Sequence, residues 1–136
     1  MSANTPAIGA HERAEVGNEL QSVLLDLIDL SLLGKQLHWT VVGPAFRPLH
    51  RQLDELIDSW RTLGDTVAER AVALGDMPDG QLCTVARGSS IKPVAAAPIT
   101  DREVVRVLTR VLEEVDERAR VSMNRLGDST RRRRTS

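Results

Sequence analysis

The sequence predicts an all-α fold, and two observations carry that prediction. First, the 136-residue chain is 41% apolar, yet its only aromatic residues are Trp39, Phe46 and Trp60. A core must therefore be built from Leu, Val, Ile and Ala, which favours helices over a β-sandwich. Second, apolar residues recur with the spacing of one helix face in three separate stretches. A chain of this length suits a single domain.

The first helix is predicted from Glu12 to Leu37. Apolar or small side chains recur along it at the spacing of one helix face: Val16, Leu20, Val23, Leu24, Leu27, Leu30, Ser31, Gly34 and Leu37. The segment from Val23 to Leu33 is unusually apolar, which indicates a helix that is buried on more than one side.

A Gly43-Pro44 break separates the first helix from the second. Pro44 suits the first position of a helix, because its ring fixes φ and its missing N–H would have no partner there. Pro48 falls in the first turn, where proline is also tolerated. The second helix is therefore predicted from Pro44 to Leu74, and Gly75 supplies its C-terminal cap.

The third long helix follows a connection over residues 80–99, which contains Gly, Ser and Pro and a predicted short helix near Leu82 to Arg87. Thr100 and Glu103 form a capping-box pattern, and an apolar stripe continues from there to Gly127, the predicted helix end. The predicted organisation is an N-terminal arm (residues 1–11), a helical domain (12–127) and a basic C-terminal tail (128–136).

The composition also bears on the compartment. Four positive charges belong to Arg131, Arg132, Arg133 and Arg134, and without them the formal charge falls from −1 to −5. The single cysteine, Cys83, excludes an internal disulfide and suits a reducing compartment. No signal peptide is visible, and no apolar run approaches the roughly 20 residues that span a bilayer. We expect a cytoplasmic protein without a membrane segment.

Five side chains around and beyond the Gly-Pro break are candidate metal ligands: His38, His50, Asp54, Asp65 and Glu69. Each has an ordinary alternative. A histidine at a helix end can be a cap, and the ligands of the second helix form pairs four residues apart, which is also the spacing of solvated surface pairs. The two later carboxylates can equally pair with Arg61 or Arg70.

The spacing within the second helix favours a site that two chains share. Asp54 and Asp65 fall on nearly the same helix face but about 16 Å apart along the axis, so one metal ion cannot bind both in one chain. A two-fold axis midway between them would place Asp54 opposite Asp65 of a second copy, and His50 opposite Glu69. Symmetric dimers make such reciprocal contacts by default, although a shared midpoint can also be accidental.

The combined donor set contains two imidazoles, three carboxylates and no thiolate. Such donors suit Fe²⁺, with Mn²⁺ and Zn²⁺ as competitors, and are too rich in oxygen for a closed structural zinc site. Two sites would form per dimer, on either side of an axis between Ser59 and Trp60. A metal with open coordination positions would allow an oxidant to bind to it directly.

The residues around these ligands resemble the two signatures of the Dps proteins, the ferritin-like mini-ferritins of starved bacterial cells. The signatures here read His38-Trp39-x-Val41-x-Gly43-x₅-Leu49-His50-x₃-Asp54 and Asp65-Thr66-Val67-Ala68-Glu69-Arg70-x₃-Leu74-Gly75-x₂-Pro78, with an unusual Gly64 just ahead of the second. The resemblance covers residues 12–127. It implies a ferritin-like four-helix bundle that assembles into a dodecameric shell with ferroxidase centres at dimer interfaces.

The resemblance also implies the division of ligands and the chemistry. His38, His50 and Asp54 would come from one subunit, and Asp65 and Glu69 from its two-fold partner. The expected reaction is oxidation of Fe²⁺, preferably by hydrogen peroxide, followed by storage of ferric mineral inside the shell. Consumption of peroxide in this way would protect DNA from oxidative damage.

Two further features have both functional and ordinary interpretations. Trp39 is expected either to intercept stray oxidising equivalents beside the site or simply to pack. Dps proteins often bind DNA through flexible basic ends, so Arg131, Arg132, Arg133 and Arg134 are candidate DNA contacts that would associate the protein with the nucleoid. An arginine run can equally be solvated charge.

The sequence departs from the Dps pattern after the third helix. Family members continue with a fourth helix of about twenty residues, whereas here Gly127 is followed only by DSTRRRRTS. A missing or truncated fourth helix would leave an apolar groove exposed along the first and third helices. Three alternatives follow: another chain covers the groove, the product is an unstable and inactive remnant, or the reading frame shifted near Asp128. A nucleoid-binding protein that acts through its tail is a further alternative.

Overall fold

The computed structural model describes residues 9–135, except for the side chains of Ser129 and Arg133. The chain forms α1 (Ala10–Thr40), β1 (Val41–Val42), α2 (Phe46–Ala73), α3 (Leu82–Gly88), β2 (Ile99–Thr100) and α4 (Asp101–Arg134). The all-α prediction is therefore confirmed, as are the three long helices and the short helix of the connection. No helix in this described range is long and apolar enough to cross a membrane.

The second helix begins at Phe46, two residues later than the predicted start at Pro44. The delay results from a turn that a distant carboxylate holds, since the Ala45 N–H donates to Asp101 Oδ2 over 2.9 Å. Gly43 in this turn has a φ of 126°, and a Cβ there would come within 2.9 Å of the Asp101 carboxylate. Glycine therefore allows both the backbone conformation and the close approach to α4. The glycine predicted to cap the other end of α2 has a φ of 89°, as a C-terminal cap requires.

α4 begins as predicted, because the Thr100 hydroxyl accepts the Glu103 N–H at 3.2 Å and caps the helix. The strand before it was not predicted. β1 pairs in parallel with β2, with Val41 opposite Ile99 and Val42 opposite Thr100. Two residues are too few to leave a periodic pattern in the sequence. This short pairing fixes the end of α1 to the start of α4.

The predicted end of the third long helix at Gly127 is wrong, because α4 continues to Arg134. Among the described residues, Gly127 is not one of the glycines with positive φ, so it does not form a left-handed cap. The helix continues past it with the Thr130 hydroxyl donating to the Leu126 carbonyl at 2.9 Å, one turn earlier. The basic segment therefore extends α4.

α1 and α2 pack closely against each other in antiparallel directions. A Cβ at Gly34 would lie 2.7 Å from Ile57 Cγ1 and 3.1 Å from Trp60 Cζ3, so the absence of a side chain allows this approach. The core extends from this pair to α4. Its most completely buried side chains are Leu30, Leu37, Leu53, Ile57, Val104 and Val111.

A buried carboxylate ties the long connection to α1. Asp26 is only 7% exposed, and it accepts the Ser90 N–H at 3.0 Å and the Ser90 hydroxyl at 2.7 Å. Arg118 of α4 donates to the same carboxylate from Nη2 at 3.3 Å. Because a buried charge is costly without partners, this network favours one path for the connection across α1.

Apolar side chains remain exposed along the bundle. Leu63, Val105 and Leu112 are 50%, 53% and 37% exposed. One groove runs between the first turns of α2 and α4 and is lined by Pro48 and Val105, and a second lies between α1 and α4 beside Val23. Residues 9–135 supply three long helices, and the predicted apolar groove is present between α1 and α4.

Candidate metal centre

The two candidate histidines lie on either side of the chain reversal between α1 and α2. His38 is in the last turn of α1, and His50 is near the start of α2. Their rings stack with centroids 3.3 Å apart and planes 22° apart. The ring of Phe46 packs beside His50 at a centroid distance of 4.9 Å. The turn thus brings together two imidazoles that the sequence separates by twelve residues.

Each ring is held by the backbone of the other histidine. His38 Nδ1 lies 2.9 Å from the His50 carbonyl oxygen, and His50 Nδ1 lies 2.9 Å from the His38 carbonyl oxygen. A carbonyl oxygen only accepts, so both Nδ1 atoms donate, and a neutral ring then presents its lone pair at Nε2. Metal-binding histidines commonly have this arrangement, in which a second hydrogen bond fixes the tautomer and the ring orientation.

Asp54 lies one helical turn after His50, and its carboxylate faces the same cluster. Asp54 Oδ1 is 3.5 Å from His38 Nδ1 and 2.8 Å from Lys35 Nζ. The hydrogen bond from Lys35 is the largest cause that lowers the pKa of Asp54 below its ordinary value, and the charges of His38, Lys35 and His50 add to it. The carboxylate is therefore ionised at neutral pH, which is the form that binds a cation.

Lys35 is the member of this cluster that the sequence analysis missed. It precedes His38 by three residues and therefore lies on the same face of α1. That spacing could have identified it, because Lys35 shares one face of α1 with His38, and a cation there can pair with a carboxylate that α2 brings beside His38.

Asp65 and Glu69 do not join the cluster. Both are exposed on α2, more than two turns beyond Asp54. Within the described part of this single chain, no three His, Cys, Asp or Glu side chains are grouped closely enough to hold a metal ion. The structure places His38 next to both His50 and Asp54, but not in a group that could hold a metal ion within one chain, and it leaves the other two candidates apart.

The remaining candidates lie at the surface. Trp39, next to His38, is 70% exposed, whereas Trp60 is 7% exposed and belongs to the core. Arg131, Arg132 and Arg134 are exposed on the last turns of α4. The side chain of Arg133 lies outside the described part of the molecule.

Comparison with known proteins identifies the fold and the family. Residues 17–128 match the family model of the ferritin-like domain. The chain is 35% identical over 113 residues to the DNA protection during starvation protein of Agrobacterium fabrum, which covers 72% of this chain and 67% of that protein. The chain belongs to the Dps family.

Solved Dps structures have a similar fold over most of this chain. Mycobacterium smegmatis Dps matches with a TM-score of 0.85 and 30% identity over 94% of this chain and 78% of that chain. The prediction of a ferritin-like Dps fold is therefore confirmed. The DNA protection during starvation protein 2 of Deinococcus radiodurans is 30% identical over 123 residues, or 90% of this chain, which spans 50% of that longer Dps relative.

Proposed function

We propose that this Dps protein is a ferroxidase, which oxidises Fe²⁺ at sites shared between two subunits and stores the ferric product. The observation that carries the proposal is the mutual hydrogen bonding of His38 and His50 beside Asp54. It fixes the orientation of two imidazole rings next to an ionised carboxylate, which supports half of a site that a second subunit would complete. This is a ligand set that Fe²⁺ accepts.

The proposal assigns the remaining ligands to a second copy of the chain. Asp65 and Glu69 are exposed and therefore available to another subunit. An antiparallel pairing of two α2 helices about an axis between Ser59 and Trp60 would bring Asp65 opposite Asp54. The same axis would bring Glu69 opposite His50, so each dimer would contain two complete sites.

The chemistry follows from the charge that these ligands carry. Three carboxylates offset the additional positive charge of Fe³⁺, so they favour oxidation of bound Fe²⁺. With hydrogen peroxide as oxidant, two Fe²⁺ ions each lose one electron, and the O–O bond breaks. Two protons are taken up, and two water molecules form. Peroxide consumed in this two-electron step cannot form hydroxyl radical with Fe²⁺ elsewhere, which supports a role in protecting DNA.

Assembly and location form part of the same proposal. We propose a dodecameric shell, as the Dps resemblance implies, in the cytoplasm and in contact with the nucleoid. Iron is the substrate, and Zn²⁺ and Mn²⁺ are expected to compete for the same ligands. Light scattering should give a mass near twelve times 15.0 kDa, whereas a persistent monomer would contradict the shell.

The decisive test is the double variant Asp65→Ala/Glu69→Ala, assayed for ferric absorbance after addition of Fe²⁺ and hydrogen peroxide. Loss of catalysed oxidation is expected, because one shared half of the site is removed while His38, His50 and Asp54 remain. Asp116→Ala, on the exposed surface of α4, is the matched control and should oxidise iron normally. Oxidation at the normal rate in the double variant would show that Asp65 and Glu69 are not ligands of the proposed site.

A second candidate function is DNA binding through the end of α4. Exposed arginine side chains at the end of α4 support contacts to DNA phosphates: Arg131, Arg132 and Arg134. A shell would present one such arginine cluster per subunit, so many weak contacts could act together. The names of the relatives, DNA protection during starvation protein, are compatible with it. The expected affinity depends strongly on salt, since each neutralised phosphate releases counterions.

Gel retardation of a DNA duplex at two salt concentrations tests this second function. Deletion of residues 131–134 should abolish retardation and reduce the salt dependence. Retardation that persists unchanged after the deletion would exclude the arginine cluster as the DNA contact, and would leave the iron chemistry unaffected.

A further inference from the structure

A large aromatic side chain lies exposed next in the chain to the proposed ligand His38. Trp39 is 70% exposed at the end of α1. It follows Lys35 by four residues and Leu32 by seven, so the three side chains share one face of α1. Lys35 contacts Asp54, which places this face on the same side of the subunit as the proposed ligands.

An apolar groove opens on that same side, further along the α1–α2 pair. It has a volume of about 530 Å³ and contains Leu32, Gly64, Asp65 and Ala68. Gly64, the residue that is unusual for the family, leaves the floor open, because a Cβ there would meet only one atom, Leu24 Cδ1 at 3.9 Å. The groove therefore adjoins a proposed ligand and has room for an aromatic ring.

The register of the helices relates the tryptophan to this groove. The contact of His38 with His50 shows that Trp39 lies approximately level with His50. The proposed two-fold axis puts His50 opposite Glu69 of a second copy. Because a helical Cβ points towards the N-terminus of its helix, the indole extends from that level towards the level of Asp65 in the second copy. The groove lies at that level.

We infer that Trp39 of each subunit docks into the Gly64-lined groove of its two-fold partner. The occupant is a second copy of this chain, and the inference rests on the dimer required by the proposed function. A fully buried aromatic residue covers about 150–250 Å², and Trp39, at 70% exposed, has most of its surface still to bury. Each dimer would have two such anchors, and each anchor would lie next to one shared metal site. The tryptophan would thus couple formation of the dimer to completion of the ligand set.

Fluorescence provides the direct test. The chain has two tryptophans, so Trp60→Phe leaves Trp39 as the only emitter. When sizing shows the dimer or a larger assembly, the emission of Trp39 should shift to shorter wavelength and its quenching by acrylamide should fall severalfold relative to the dilute monomer. An assembled protein in which Trp39 is still quenched like free tryptophan would overturn the inference, and so would a protein that never assembles.

A coupling experiment tests the identity of the groove. Gly64→Leu fills it, and should weaken dimerisation by about tenfold or more, as loss of a tryptophan anchor does. In a Trp39→Ala background, the same substitution should have little further effect. Independent, additive effects of the two substitutions would overturn the inference. Thr109→Leu, on the exposed face of α4, adds the same side chain away from the groove and should leave dimerisation unchanged.

Gly64 is buried, so the folding of the Gly64→Leu monomer should be checked by circular dichroism and urea unfolding. If the leucine variant does not fold, Gly64→Val provides a smaller replacement. The outcomes are separable from those of the proposed function. Trp39 buried in a dimer that lacks catalysed iron oxidation would support the inference and refute the ferroxidase. Rapid iron oxidation by an assembly in which Trp39 stays exposed would support the ferroxidase and refute the docking of Trp39.

Discussion

The imidazole of His38 donates from Nδ1 to the carbonyl oxygen of His50 over 2.9 Å, and His50 returns the same bond to His38 over 2.9 Å. Neither ring can turn without breaking one of these bonds and the 3.3 Å stack between them. The orientation of both Nε2 atoms is therefore fixed in the free protein, which would reduce the entropic cost of binding a metal ion.

Mixing two inactive variants should restore iron oxidation if the ligands are shared between chains. His50→Ala and Asp65→Ala should each be inactive alone, because every site in their homodimers lacks a ligand. In a mixed dimer, one site lacks both His50 and Asp65, and the other site has all five ligands. Random co-assembly of equal amounts should therefore restore about a quarter of the wild-type activity.

This complementation is measured as the initial rate of ferric absorbance after co-expression of the two variants. Mixing two variants with defects on the same side, His38→Ala and His50→Ala, is the control and should restore nothing. Absence of recovery in the first mixture, with dimers confirmed by sizing, would mean that the ligands do not divide as proposed.

Lys35 should lower the affinity of the site for Fe²⁺, because its ammonium group lies 2.8 Å from the Asp54 carboxylate and repels a cation there. Lys35→Met keeps the aliphatic stem and removes the charge. The Fe²⁺ concentration for half-maximal oxidation should fall about two- to fivefold, given the partly solvated setting. Lys35→Arg retains the charge and should show little change. A rise in the Lys35→Met variant would show instead that the lysine positions Asp54.

Gly34 and Gly127 should respond in opposite directions to alanine. At Gly34 the new Cβ would lie 2.7 Å from Ile57 Cγ1, so Gly34→Ala should destabilise the fold by about 1–3 kcal/mol through overpacking. At Gly127 the nearest atom is Arg131 Nη2 at 3.8 Å, an ordinary contact distance, and alanine should stabilise α4 by about 0.5–1 kcal/mol. Urea unfolding measures both, and a destabilising Gly127→Ala would contradict the continuation of α4.

Asp79 should make the protein sensitive to acid. Hydrogen bonds from the Thr84 hydroxyl and then the Gln81 N–H lower the pKa of Asp79 below its ordinary value of 3.8. Because the folded-state pKa is the lower one, this stabilisation is present above pH 3.8 and is lost as the pH falls through the folded-state value.

The measurement is the urea midpoint between about pH 2 and 6. Asp79→Asn should lower the midpoint near neutral pH and make it less dependent on pH in the acid range. Asp116→Asn removes an exposed carboxylate paired with Arg120 and should change the midpoint little. Equal pH profiles for wild type and Asp79→Asn would contradict the assigned role.

The helices could be predicted because periodicity reports burial directly. The C-terminal end of α2 before Gly75 and the start of α4 after Thr100 were also predicted correctly, because capping residues can be recognised in the local sequence. The start of α2 could not be predicted, because it depends on a contact between Ala45 and Asp101 across 56 residues. The end of α4 was misplaced because glycine permits a cap without requiring one.

The candidate site could be predicted as a list of ligands but not as an arrangement. His38 lies beside both His50 and Asp54 in one subunit, whereas the assignment of these three residues as ligands stays a prediction from the Dps resemblance. The reciprocal bonds that orient the rings use backbone carbonyl groups, which every residue has, so no sequence pattern reveals them. The pairing with Asp65 and Glu69 stays a prediction from symmetry.

The bond from Ala45 to Asp101 has a consequence for the order in which the protein is made. All five proposed ligands leave the ribosome before Asp101 does, because the last of them is Glu69. Until Asp101 emerges, the turn between the two histidines lacks the carboxylate that holds it. A nascent chain therefore carries all five proposed ligands before the Ala45–Asp101 bond can hold the turn between the two histidines.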